Sequence, residues 1–328
     1  MYQMMSLPLY SGTFQEYDSW RDLGQELERL GCDGIEGVWG GEDLPKDLPA
    51  ELILGYHLIF YPDWLDFYRD DRAALKQKFG SLEAVASFYG GLGPDTLLEQ
   101  YRADLRRAVN LGARYVVFHV SDVSLEEGYT YRWLHTNQEV IDAAVEVVNL
   151  ILGEERWPFE FLVENQWWPG FTFTEPEETA RLLEGIRFAG KGILLDTGHL
   201  MNACTELKTE AEGADYIRSM LNRHGSLAKW VRGVHLHQSL SGAYVKARTG
   251  LLPAGLPEDY GERFGVSYQH ILQIDQHRPW TDPAILPVLE QIGPRYLTHE
   301  LSSRGRMSRA EAMAAQARLF QQGGKMGV

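Results

Sequence analysis

Cysteine is nearly missing from this chain. Two in 328 residues, Cys32 and Cys204, cannot build a disulfide framework, and they form no CxxC pair. A thiolate zinc site is therefore excluded, and any metal has to be held by histidine and carboxylate. Long apolar runs are missing too: no stretch approaches the roughly 20 apolar residues of a membrane span, and the opening "MYQMMSLPLY" has no basic region leading into an apolar one. The expectation is a soluble, cytoplasmic protein with no membrane partner. Positive charge is scarce, with 31 Lys and Arg against 46 Asp and Glu and a net charge of -15. That balance opposes attraction to a phosphate backbone, so nucleic acid is a disfavoured partner. No low-complexity linker or heptad run interrupts the chain, and no GxGxxG follows the first strand candidate, which argues against a dinucleotide fold.

What is present is alternation. Eight short apolar runs rich in β-branched and aromatic residues read as strands: "YQMMSLPL", "GIEGVW", "ELILGYHLIF", "RYVVFHVSD", "FEFLVENQ", "GILLDTGH", "VRGVHLHQ" and "RYLTHELSS". Amphipathic stretches separate them. In residues 95–111, Leu98, Tyr101, Leu105, Ala108 and Val109 recur at helical spacing, and Ser308 and Glu311 of "SRAE" have the spacing of a capping box for the last helix. Eight strand-helix repeats with right-handed crossovers predict an α/β fold, a single (β/α)8 TIM barrel over residues 1–328, with a long loop insertion at about 239–281.

In such a barrel the active site lies at the carboxyl ends of the strands. Six consecutive strand candidates finish in a histidine or a carboxylate: His57, His119, Glu164, Asp196, His235 and Glu300. Any one alone reads most simply as a turn former or a satisfied buried polar group. Six converging on one mouth would repel one another and stay poorly solvated unless a cation compensated them, and mixed nitrogen and oxygen ligands suit a borderline divalent ion. The stretch "ILLDTGHLMN" poses the question sharply, because Asp196 and His199 could be a capping turn with an incidental histidine or two ligands.

These residues resemble the xylose isomerase-like barrels, the superfamily of sugar isomerases and epimerases and of apurinic-site endonucleases of the endonuclease IV type. The resemblance spans nearly the whole chain and rests on "LVENQ", "LLDTGH", "GVHLH" and "THEL", in the family's order. It implies that Glu164, Asp196, His235 and Glu300 bind one metal, and that His199 contacts substrate or ligates a further metal. "IDQH" resembles the Asp-x-His pair that holds an additional zinc in the endonucleases, which implies that Asp275 and His277, with His57 and His119, complete a trinuclear set. The stretches that follow these residues, "LIFYPDWLDF", "LMNACTEL" and "RPWTDPAI", depart from the endonucleases in loops that would touch substrate.

The expected cofactor is thus one to three divalent ions, zinc or manganese, and a homo-oligomer is compatible with the chain. The leading functional expectation is an isomerase or epimerase acting on a small sugar or polyol derivative, with Glu164 and Glu300 as catalytic residues relaying a proton next to a carbonyl. The alternative is a multinuclear zinc phosphoesterase. A carbohydrate-binding barrel without catalysis is a third reading, opposed by the intact carboxylates. Around the mouth, Trp167 and Trp168 with Phe171 and Phe173 are expected to form an aromatic wall over substrate. His237 shares strand parity with His235, which leaves it between substrate contact and a structural hydrogen bond. Glu36 is balanced between pocket lining and loop anchor, while His299 has the opposite parity and should face the helices. Lys246, Arg248, Arg263 and Arg278 are read as a solvated loop or, more sharply, as phosphate-capturing cations, with Arg278 nearest the site.

Overall fold

Polar residues terminate six of the eight strands of this protein, and the strand period of two places them. In the computed structural model, which describes residues 1–322, eight parallel strands close into a barrel in sequence order. They are β1 (Tyr2–Leu9), β2 (Gly34–Trp39), β3 (Ile53–His57), β4 (Tyr115–His119), β5 (Glu160–Glu164), β6 (Lys191–Asp196), β7 (Val231–His235) and β8 (Tyr296–His299). The eighth pairs back with the first, Tyr2 opposite Tyr296 and Met5 opposite His299. This is a (β/α)8 TIM barrel, with helices between the strands. No helix among the described residues is long and apolar enough to cross a membrane.

Successive side chains of a strand point to opposite faces. One face of the strands therefore carries Tyr115, Val117 and His119 on β4, Leu162 and Glu164 on β5, Leu194 and Asp196 on β6, and Tyr296 and Thr298 leading to Glu300 on β8. Met4, Leu54, Tyr115, Val117, Leu162, Leu194 and Tyr296 form a buried apolar cluster of their own, the barrel's floor beneath the polar layer. The opposite faces pack with the helices in a second, larger core that includes Phe118, Phe161, Val163, Leu195 and Leu297. Gly55 makes room within the floor: a Cβ there would lie 2.3 Å from the Tyr115 ring, so only glycine lets that tyrosine stand upright between β3 and the polar layer.

Local signals read from the sequence are adjusted in two places. The expected helix at 95–111 runs Pro94–Asn110 and buries Leu98, Tyr101, Leu105 and Ala108, whereas Val109 is exposed. Ser308 does not cap the last helix. That helix begins at Arg306, and the Ser308 hydroxyl, already inside it, donates to the Gly305 carbonyl at 3.0 Å and accepts from the Arg304 N–H at 2.7 Å. The segment 239–281 is no plain loop either, since it carries the helices Gly242–Arg248 and Tyr260–Ile274.

His299 faces the helices as its parity requires, with Nε2 3.1 Å from Gln3 Oε1 and Nδ1 2.7 Å from Gln316 Nε2. Burial lowers its pKa to about 4, against about 6.5 in an unfolded chain. The unfolded state therefore binds the proton first as pH falls. Stability from this neutral imidazole is complete above about pH 6.5 and is lost as pH falls toward 4, by about 3 kcal/mol. Denaturant midpoints followed from pH 8 to 4.5 should decline less steeply for His299→Gln than for the parent; parallel curves would contradict the assignment.

Candidate metal centre

Three groups of side chains at the carboxyl ends of the strands bring their ligand atoms within 4.8 Å of one another: His57, His119 and Glu164; Glu164, Asp196, His235 and Glu300; and His199, His237, Asp275 and His277. Glu164 belongs to two of them. Four carboxylates and six of the ten histidines thus share one end of the barrel.

The turn after β6 answers the question posed by "ILLDTGHLMN". Asp196 Oδ1 accepts from the His199 N–H at 2.6 Å and so caps the helix Thr197–Asn202. Its other oxygen, Oδ2, lies 2.8 Å from His237 Nε2 and 3.6 Å from His235 Nδ1. One carboxylate does both jobs. Gly198 allows the turn, because a Cβ there would lie 2.1 Å from the His237 ring. Asn165 ties β5 to β6 at the same level, accepting from the Asp196 N–H at 2.8 Å and donating to its carbonyl at 3.1 Å.

Glu164 is the most heavily contacted group. Its Oε2 lies 3.3 Å from His57 Nε2 and 3.1 Å from His119 Nε2, and its Oε1 lies 3.2 Å from His199 Nδ1 and 3.4 Å from His235 Nδ1. His57 Nδ1 sits 2.8 Å from the Leu58 carbonyl, which fixes the proton there and leaves the Nε2 lone pair facing Glu164. His199 is placed likewise, with Nδ1 3.0 Å from the Asn165 carbonyl and Nε2 3.2 Å from Asp275 Oδ2. His277, at a left-handed φ of 47°, puts Nε2 2.5 Å from the same Asp275 oxygen.

Proximity here does not produce satisfied hydrogen bonds. Glu164 Oε2, His235 Nδ1, Glu300 Oε2, His237 Nδ1 and Asp275 Oδ1 are buried without a hydrogen-bond partner, although His235 Nδ1 is 2.8 Å from Glu300 Oε2. Buried polar atoms left in this state cost one to several kcal/mol each, and lone pairs turned toward a common point are the arrangement a cation satisfies. The donor set, imidazole with carboxylate, fits a borderline divalent ion.

The electrostatics show the same demand for positive charge. Burial opposes charging His199 and His235, but Asp196 and Asp275 around the first, and Glu36, Glu300 and Glu164 around the second, raise both well above the ordinary imidazole range. His277 is raised to about 9 against its burial by Asp275 and Glu300. Burial pushes the carboxylates upward, yet the imidazoles more than offset it: His119 and His235 hold Glu164 well below its usual value, and His235 and His277 bring Glu300 to about 2. Unlike His57, His199, His235 and His277, which are raised, His119 is lowered, by burial. Protons on these histidines supply the positive charge that an ion would otherwise bring, so the two compete.

Each residue expected from the sequence has a definite place. His57, His119, Glu164, Asp196, His199, His235, Asp275, His277 and Glu300 are all brought together. His237 is not at a substrate surface: it is fully buried, hydrogen-bonded to Asp196, and stacked on His277 with ring centroids 4.1 Å apart. Trp167 and Trp168 line the cavity above the centre, but Phe171 and Phe173 are core residues, Phe173 stacking on His224 at 3.9 Å. Arg278 is exposed and outside the cavity lining; its backbone pairs with Gln238. Lys246 pairs with Glu206 at 2.7 Å and Arg263 donates to the Lys78 carbonyl at 2.9 Å; with Arg248 they too lie off the lining.

Glu36 is where sequence reasoning fell short. It is fully buried beneath the centre, accepting from Tyr115 Oη at 2.6 Å and Thr298 Oγ1 at 2.9 Å, with His235 Nε2 at 2.8 Å. It therefore holds His235 with Nδ1 turned up toward Asp196, Glu164 and Glu300. The signal was the parity of a lone acid inside an apolar strand, read without its cross-barrel partners. Outer partners of this kind are worth about 10- to 100-fold in metal affinity. Glu36→Gln should weaken zinc binding at least about tenfold in chelator competition while the far-ultraviolet dichroism stays that of the parent; unchanged affinity would contradict this role.

Comparison with known proteins agrees with this geometry at the level of fold. No curated protein matches the chain. Among solved structures, a D-allulose 3-epimerase from Methylomonas sp. is 12% identical with a TM-score of 0.53, covering 98% of this chain and 96% of its own. A D-tagatose 3-epimerase-like protein is 15% identical with a TM-score of 0.52, covering 98% of both. The endonuclease IV of Thermus thermophilus is 16% identical with a TM-score of 0.45, covering 98% of this chain and 100% of its own. For the two epimerase-type structures, identities this low speak for shared architecture alone. The family description "xylose isomerase-like TIM barrel" matches residues 25–322, and with that span matched the chain belongs to the xylose isomerase-like TIM barrel family.

Proposed function

We propose that this protein is a metal-dependent hydrolase of small phosphoesters, with a centre that accepts up to three divalent ions, zinc foremost. The observation that carries the proposal is the surroundings of Glu164. Both of its oxygens face imidazoles, at 3.1 to 3.4 Å, and its side chain is 1% exposed. A carboxylate so enclosed suits a bridge between two ions. Held between two ions it would have no oxygen left for a substrate carbon, which the isomerase expectation requires of it. The preference drawn from the sequence is therefore reversed.

The residues divide the work as follows. His57 and His119 with Glu164 would hold one ion, Glu164 with Asp196, His235 and Glu300 a second, and His199, Asp275 and His277 a third, with His237 supporting the last from Asp196. The chemistry such ions supply when bound is Lewis-acid polarisation of a phosphoryl oxygen and acidification of water toward neutral pH. His119, Asp275, His277 and Glu300, whose side chains are 12 to 20% exposed, face the mouth where a substrate arrives. Trp167 and Trp168 wall off bulk water, which strengthens every charge interaction inside. A small substrate is supported over nucleic acid by the scarcity of cations: among the described residues, Arg304 and Arg309 are those on the cavity lining, and Arg309 is already paired with Glu16.

A second reading, proton transfer beside a carbonyl of a small sugar, draws support from Glu300, whose orphaned Oε2 lies at the mouth and could serve as one base. One experiment separates the two. Zinc- and manganese-loaded protein is assayed for phosphate release from small phosphoesters, for incision of an abasic duplex, and for deuterium exchange into ketoses. Phosphate release from a small ester that falls more than about a hundredfold in Glu164→Gln, beyond what losing an outer partner costs, is expected. Glu164-dependent exchange into a ketose with no phosphate release would overturn the proposal in favour of the second reading.

A further inference from the structure

The cavity above the metal centre is larger and more aromatic than a sugar phosphate requires. Its volume is about 960 Å³, at the upper end of the roughly 300–1,000 Å³ usual for small-molecule sites. Two aromatic walls leave the centre, and each begins on one of the clustered imidazoles. Phe60 stacks on His119, with centroids 4.5 Å apart and planes 29° apart. Trp167 lies 5.0 Å from the His199 ring, with Trp168 4.1 Å beyond it. Farther out, Phe88 meets Phe264 edge-on at 5.4 Å, so that the helix Leu82–Tyr89 and the helix Tyr260–Ile274 meet at the cavity lining.

That helix joins the two regions. It contributes Phe264, Ser267 and Ile271 to the lining and ends directly at Asp275 and His277. Ile271 and Ile274 pack against the pair Trp167 and Trp168, so the wall and the third ligand group are positioned by one element. Three polar atoms in this arm are left over, one of them Trp167 Nε1. Ser267 Oγ and Trp168 Nε1 are buried, belong to residues of the cavity lining, and have no hydrogen-bond partner; Ser267 is 3% exposed. Both can donate, and a buried donor without an acceptor is costly. An uncharged acceptor oxygen on a flat apolar body would satisfy them.

We infer that the substrate is an aryl phosphoester: one phosphoryl group at the metal centre and a planar aromatic group bearing an acceptor oxygen in the arm between Phe60, Trp168 and Phe264. This inference rests on the phosphoester reading above and names its substrate class. An aromatic contact contributes about 0.5–1.5 kcal/mol beyond area burial, so two of them at about 0.7 kcal/mol each make the preference over an aliphatic ester of equal charge about tenfold.

Binding tests this without depending on turnover or on leaving-group strength. Zinc-loaded protein is titrated calorimetrically with (4-nitrobenzyl)phosphonate and with 3-hydroxypropylphosphonate, which carry the same anion. The aryl compound is expected to bind about tenfold more tightly, and the ratio of the two dissociation constants to narrow in Phe264→Ala and again in Ser267→Ala, the latter removing a hydroxyl that has no hydrogen-bond partner among the described residues. Equal affinities, or a preference that neither variant changes, would overturn the inference while leaving hydrolysis standing. Should neither phosphonate bind more tightly to zinc-loaded than to metal-free protein, the phosphoester reading fails by itself. The arm is then judged by 4-nitrobenzyl alcohol: saturable binding weakened by Phe264→Ala supports it, and no binding removes it.

Discussion

The structure depends on one electrostatic constraint, the need for positive charge around Glu164. Four carboxylates and six imidazoles are gathered into the water-poor mouth of a barrel, where isolated ions would cost several kcal/mol each. Protons on the imidazoles answer that need in part, as the raised values of His199, His235 and His277 show. The unsatisfied atoms that remain show that protons do not answer it well. Much else follows from the cluster: the buried Glu36 beneath it, the Asn165 clasp between β5 and β6, and the insertion helix anchored at Asp275 and His277.

The barrel contributes rigidity and convergence. Residues separated by more than 100 positions, such as Glu164 and Glu300, meet because parallel strands with one parity aim alternate side chains at one axis. Below the polar layer, Tyr115 and Tyr296 stack with centroids 4.3 Å apart and fill the floor. Glu36 accepts the Tyr115 hydroxyl and contacts His235, linking that apolar floor to the ligand layer. The geometry of the centre is thus set by core packing as much as by its own contacts.

Much of this could be read in the sequence because it follows from period and position. Eight apolar runs predicted the barrel, and six of them, ending in His or an acid, marked six of the clustered residues; His199, Asp275 and His277 came from the resemblance of "LLDTGH" and "IDQH". The fourfold contact of Glu164 was not legible, since it depends on rotamers and on the register of non-adjacent strands. Nor were the roles of Glu36 and His237, whose partners lie on other strands, or the burial of Phe171 and Phe173, which neighbour Trp167 in sequence but turn into the core. Ser308 misled because a capping-box spacing does not fix where a helix starts; the chain entered the helix two residues earlier. Arg278 was placed near the site by its neighbour His277, but the left-handed turn at His277 sends the next side chain outward.

Anomalous scattering from crystals grown with excess zinc tests the central idea most directly, because it locates ions without reference to any activity. Two peaks that share Glu164, one also within bonding distance of His57 and His119 and the other of Asp196, His235 and Glu300, with a third at His199, Asp275 and His277, are the expected result. A single peak at Asp196, His235 and Glu300, with His57 and His119 bound to no ion, would contradict the proposed bridging role of Glu164.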